Sequence, residues 1–148
     1  MVQKKNKLQL YLKFTNFFIK NGNLNFSKNL IGWVLLKIFH KIKLSPYKSI
    51  VFLFFKLNSF IEIRQILRKR RKHFVPFALP VNRRIFFSLK WLKLALANDN
   101  RKISLQEKLV FELLNLFLNC KKSKALYLKK SLNDNKIFLY RSNVHFRW

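Results

Sequence analysis

Groups able to do acid–base, nucleophilic or metal chemistry are few in this chain, and they are scattered. The five carboxylates are Glu62, Asp99, Glu107, Glu112 and Asp134, and no two sit at a spacing that would form a catalytic dyad. Glu107 has a helix-capping task, and the remaining four read as surface neutralisers of a basic protein. His40, His73 and His145 lack metal-ligand spacing; His40 reads as the end of a helix and His73 as a phosphate contact. Cys120 is the single cysteine, which excludes an intrachain disulfide and a cysteine-based zinc site. With two glycines in the whole chain there is no glycine-rich phosphate loop. The sequence therefore predicts no enzyme and no cofactor.

The chemistry that is abundant is cationic. Lys and Arg number 32 against those five acids, a formal net charge of +27 at pH 7. A surface of that charge attracts polyanions, and counterion release makes its binding to phosphate strong and salt-dependent. Nucleic acid is the expected partner, with anionic lipid as the competitor. The densest run, Arg68, Lys69, Arg70, Arg71 and Lys72, is followed by His73 and the aromatic Phe74. Guanidinium groups can pair bidentately with phosphate and stack on exposed bases, a combination suited to folded RNA. Trp91 is read as a further stacking platform.

These groups need a scaffold, and the chain has one. Hydrophobic residues make up 50% of 148 residues, with only three prolines, which is the composition of one folded domain and not of a basic tail. Leu10, Phe14 and Phe17 form a helical stripe that ends near Asn21-Gly22, read as a left-handed C-cap. Ile31, Leu35, Ile38 and Ile42 form a second. Ser45-Pro46 opens a third helix with Ile50, Phe54 and Leu57 inward. Period-two alternation at Ile61-Glu62-Ile63-Arg64 predicts a strand, and Phe74 to Phe77 a second, giving a ribbon over 61–80 with a cationic tip. Pro76 and Pro80 suit an edge. A fourth helix over 82–98 is expected to bury Ile85, Leu89, Leu92 and Leu96, with Arg83, Arg84, Lys90 and Trp91 on the far side. Ser104 and Glu107 form a capping box ahead of Leu105, Leu109, Leu113 and Leu116. A last helix covers roughly 125–140, before a tail over 141–148. The prediction is a mostly α, six-helix single domain with a β-hairpin between the third and fourth helices and a short basic arm over 1–7.

No apolar run reaches the ~18 uncharged residues of a membrane span. The first seven residues look like neither a secretory signal nor an imported presequence. The 17 Phe, with abundant Lys, Asn, Ile and Leu, point to an AT-rich coding sequence such as an organelle genome carries.

Three separated segments then resemble a known family. Val75-Pro76-Phe77, Pro80-Val81-Asn82-Arg83-Arg84 and Leu89-Lys90-Trp91-Leu92 are similar to the "VPV…PVRR…LRW" signature of bacterial-type small-subunit ribosomal protein seven. The ending Val144-His145-Phe146-Arg147-Trp148 resembles that family's terminal "AHYRW". The likeness is strongest over 61–148 and weaker over 8–60. It implies binding to the 3′ major domain of small-subunit rRNA, nucleation of head assembly, and a position bordering the exit-site tRNA and the mRNA exit path. It also implies ribosomal protein eleven as a neighbour. A mitochondrial ribosome is the implied location, with plastid or bacterial cytoplasm as alternatives. The RNA-binding residues expected on this basis are Lys4, Lys5, Lys13, Arg64, Arg68, Lys69, Arg70, Arg71, Lys72, His73, Arg83, Arg84, Lys90, Trp91 and Arg147. Two departures stand out: the turn that often holds glycines in the family is Lys69 to Lys72 here, and a Lys-Lys pair after the first helix is replaced by Asn23-Leu24. The competing readings are a basic amphipathic peripheral-membrane or scaffold protein and a DNA-binding helical module.

Overall fold

A computed structural model describes residues 2–68, 70–118 and 120–146, with side chains over 9–67, 70–118 and 121–146. Among them the order is α1 (Val2–Phe17), α2 (Leu24–Ile42), α3 (Pro46–Leu57), β1 (Ile61–Arg68), β2 (Arg71–Ala78), α4 (Val81–Ala97), α5 (Leu105–Leu118), α6 (Lys124–Lys129) and α7 (Asn135–Leu139). Lys130–Asp134 between the last two is π-helical, so α6 and α7 are one helical run with a widened turn in it. This is the expected six-helix plan with the hairpin between the third and fourth helices. Short 3-10 turns cover Cys120–Lys122 and Arg141–Phe146.

The caps follow from local sequence. Asn23 starts α2, its side chain accepting from the Phe26 amide at 3.0 Å. Pro46 occupies the first turn of α3, and the Ser104 hydroxyl accepts from the Glu107 amide at 3.3 Å. Asn21-Gly22 plays a different part from the one expected. The helix ends at Phe17, and Lys20 and Asn23 pair across a tight turn with Asn21 at φ 51° and Gly22 at φ 74°. Positive φ at both central residues is what lets so short a reversal close, and Asn and Gly tolerate it best.

The core draws on every long helix: Phe14 from α1, Leu30, Ile31, Val34 and Ile38 from α2, Leu53 and Leu57 from α3, Leu89 and Leu92 from α4, Leu109, Leu113 and Leu116 from α5. Leu105, expected in the α5 stripe, is exposed because it is the first residue of its helix and lies beyond the packed layer.

Three of the carboxylates are not surface neutralisers. Glu62, Asp99 and Glu112 are buried, each holding two parts of the chain together. Glu112 on α5 accepts from the Ser123 hydroxyl at 2.7 Å and the Ala125 amide at 2.9 Å, so a helix interior caps the start of α6. Asp99 accepts from Nε and Nη2 of Arg101 and from Lys124 at 3.1 Å, while its backbone oxygen takes the Lys108 ammonium at 2.8 Å. Burial of a charge is tolerated only with such partners. In so basic a chain cations are always available to supply them.

Candidate nucleic-acid interface

β1 and β2 form an antiparallel ribbon in register from Ile61↔Ala78 to Arg68↔Arg71. The ribbon has a fixed root and a projecting tip. At the root, Glu62 is 5% exposed. It accepts from Arg64 Nε at 2.6 Å and from Arg83 Nε and Nη2 at 2.7 and 3.1 Å, tying β1 to the first turn of α4. Burial alone would raise the Glu62 pKa, but the bonds and charges of Arg83 and Arg64 outweigh it and hold the carboxyl below its ordinary value. The same bonds push Arg83 up. On the other side of the root, Asn133 in the π-helical turn donates to the Ser59 hydroxyl at 2.6 Å and to the Ile61 carbonyl at 3.2 Å. The widened turn brings this buried amide against residues more than seventy positions earlier.

Arg84 is half-buried. Its Nε donates to the Leu79 carbonyl at 2.7 Å and its guanidinium lies 4.8 Å from the Phe60 ring centre, so it braces the loop between ribbon and helix. Lys13 on α1 donates to the Asn82 side chain at 2.7 Å, bringing a cation from the first helix beside the start of α4. Lys90 is exposed on the next turns of that helix. Arg83, Arg84, Lys13, Arg64 and Lys90 thus gather around the junction of ribbon and helix.

At the tip, Arg70, Arg71 and Lys72 are exposed, and among the described residues no carboxylate pairs with them. Arg70 takes φ 66°, the left-handed region that the family's glycines would occupy without strain. His73 is half-buried and stacks on Phe146 at 4.8 Å between ring centres, while Phe74 lies 5.0 Å from Tyr140. Asn143 donates to the Phe74 carbonyl at 2.9 Å. The last 3-10 turn is therefore laid along β2, and His73 rests on it. Lys69 and Arg147 lie outside the described residues, as do the side chains of Lys4, Lys5 and Arg68.

Trp91 is a correction. It is 5% exposed, packed inside α4's buried face and not standing out as a platform. Its position is about 100° round the helix from Leu92, which would reach solvent on a helix packed along one side. α4 packs along two: against α3 and α5, and against α6. Its buried arc takes in Ser88, Trp91 and Ala95 beside the leucines.

Between ribbon, α4 and the π-helical turn lies a cavity of about 420 Å³, lined by Glu62, Phe74, Arg83, Phe87, Lys90, Trp91 and Lys136, with Ile63, Leu94, Leu132 and Asn133 completing the wall. Phe87 and Lys136 were not among the expected contacts. Phe87 could have been found from its place one helical turn before Trp91; nothing local marks Lys136.

The described residues form a helical protein with a basic hairpin arm whose cations gather at the root and tip of the ribbon. Among curated proteins, the chain is similar to small ribosomal subunit protein uS7m of Xenopus laevis, 29% identical with 92% of this chain and 64% of that protein covered. It is also similar to uS7m of Gallus gallus, 28% identical with the same coverage. The chain spans 64% of the length of these relatives, and no family model matches it. Both similarities are to the mitochondrial form of small-subunit protein uS7.

Proposed function

We propose that this protein is a structural component of the small subunit of the mitochondrial ribosome, is not an enzyme, and works by holding rRNA. The observation that carries the reading is similarity along 92% of the chain to two proteins named for that subunit. The net charge of +27 and the cations gathered around the hairpin support it physically. So does the division of labour among those cations. Arg70, Arg71 and Lys72 are open to phosphate, whereas Arg64, Arg83 and Arg84 are half-engaged in holding the arm and still expose part of their donor forks. Contacts of this kind position a protein on folded RNA and do not read sequence.

The finer reading follows the family likeness. The protein binds the 3′ major domain of the rRNA, helps to start assembly of the subunit head, and extends its arm toward the exit-site tRNA and the mRNA exit path, beside protein eleven. Synthesis from an organelle gene belongs to the same proposal. Among the described residues no helix is long and apolar enough to cross a membrane.

Sedimentation of a mitochondrial lysate is the test. The tagged protein should run with the small subunit and its rRNA; migration with the large subunit or with no ribosomal particle would overturn the reading. Flotation with anionic liposomes in place of rRNA retention would favour the membrane alternative.

A further inference from the structure

We propose that the cavity between the hairpin root, α4 and the π-helical turn is a receptor for one unstacked nucleotide of the bound RNA. The inference rests on the reading above and gives it a defined contact. The cavity volume, about 420 Å³, is in the range of small-molecule sites and has room for a base with its sugar. Its wall combines what such a guest requires: the rings of Phe74 and Phe87, which reach solvent, and the cations Arg83, Lys90 and Lys136.

Two observations separate this cavity from an ordinary surface cleft. The first is the Trp91 indole N–H, the single buried side-chain polar atom without a hydrogen-bond partner among the described residues. A buried donor with no acceptor is costly, and because this N–H is closed to solvent a base carbonyl or ring nitrogen would satisfy it only through a rotation of the indole ring, which the proposal requires. The second is the loading of Phe87. Arg83 lies 5.7 Å and Lys90 5.5 Å from its ring centre, and Lys90 is also 5.9 Å from the Trp91 ring. Contacts of this sort at exposed sites are weak and exchangeable. A phosphate at the mouth of the cavity would take both cations and free the Phe87 face for a base. Glu62, the one carboxylate in the wall, already accepts from Arg64 and Arg83 and so offers little repulsion.

The cavity is also a product of the fold. β1, β2, α4 and the π-helical turn each contribute a wall, and the widened turn carries Leu132 and Asn133 into it. π-helical turns recur at functional sites for the reason visible here, that they re-aim side chains a regular helix would leave elsewhere.

The experiment is photo-crosslinking of the full chain to small-subunit rRNA carrying 4-thiouridine, with mass-spectrometric mapping of the adducts. Nucleotide adducts on the peptide containing Phe87, Lys90 and Trp91 are expected. Crosslinks confined to the hairpin tip and the helix surfaces would overturn the nucleotide receptor and leave rRNA binding intact. A chain that retains no rRNA at all would overturn the reading beneath it. As a second measurement, Phe87→Leu should weaken rRNA affinity about tenfold without changing its salt dependence, as loss of a base stack does. Lys136→Ala should flatten the salt slope by about one unit. Affinity unchanged in Phe87→Leu, with far-ultraviolet circular dichroism showing the fold retained, would again overturn the proposal.

Discussion

The buried carboxylates set the terms for the cations around them. Glu62 holds two guanidiniums that the arm could otherwise turn toward phosphate. Glu62→Gln should therefore lower thermal stability yet steepen the salt dependence of rRNA binding by about one unit, measured by filter retention between low and moderate salt. Asp99 is pulled well below its ordinary value by Arg101 first and then Lys124, against the opposing effect of burial. Both acids are depressed in the folded state. Their contribution is thus fully present above the ordinary carboxylate values, 4.5 for Glu62 and 3.8 for Asp99, and is lost as pH falls through and below them. A melting temperature that drops on acidification in the native chain, and drops less in Asp99→Asn, is the expected result. At neutral pH that substitution should cost about 1–2 kcal/mol in urea unfolding, a modest figure because Arg101 and Lys124 keep over a third of their side chains in water. None of this was legible in the sequence, where an isolated acid among lysines looks like a solvated neutraliser.

The helices and the ribbon were legible as elements, because each announces itself within its own span. The leucines of α4, the proline opening α3, the serine ahead of α5 and the alternation at Ile61 to Arg64 are local signals, and each produced the expected structure. The hairpin turn shows what a local departure does. Without the glycines of the related family, Arg70 is held in the left-handed region at a cost of about 1 kcal/mol. Arg70→Gly should remove that strain and add back chain entropy, so stability measured by thermal unfolding should move by less than about 1 kcal/mol. The same change deletes a tip cation, and the salt slope of rRNA binding should fall by about one unit. At the other end of the chain, Glu112→Ala would strand the Ser123 hydroxyl and the Ala125 amide. It should cost about 1–3 kcal/mol and loosen α6 first, visible as faster amide exchange there.

For the whole molecule the governing quantity is the charge of +27 on a single small core. Self-repulsion opposes folding, so the melting temperature of the free protein should rise with ionic strength, opposite to the trend of its RNA affinity. A polyanion that binds only the folded form should raise it further, in proportion to the logarithm of its concentration above saturation. A melting temperature indifferent to both salt and rRNA would contradict the role assigned to the charge.

What the sequence by itself determined was the basic character, the helical stripes, the position of the ribbon and the family likeness, because each depends on residues close together in the chain. What only the tertiary structure decided was the state of individual side chains. Trp91 is inside because a second layer of helix covers α4. Arg64 and Arg83 meet over Glu62 because the ribbon root folds against that helix. His73 rests on Phe146 because the 3-10 turn Arg141–Phe146 returns along β2. Asn133 reaches Ser59 across seventy-four positions through one widened turn. A side chain's environment is set by whichever elements pack around it, and those neighbours are remote in sequence. The charge could therefore be read from the residues, but which of the described cations are engaged by a carboxylate or a carbonyl could be read only from the fold.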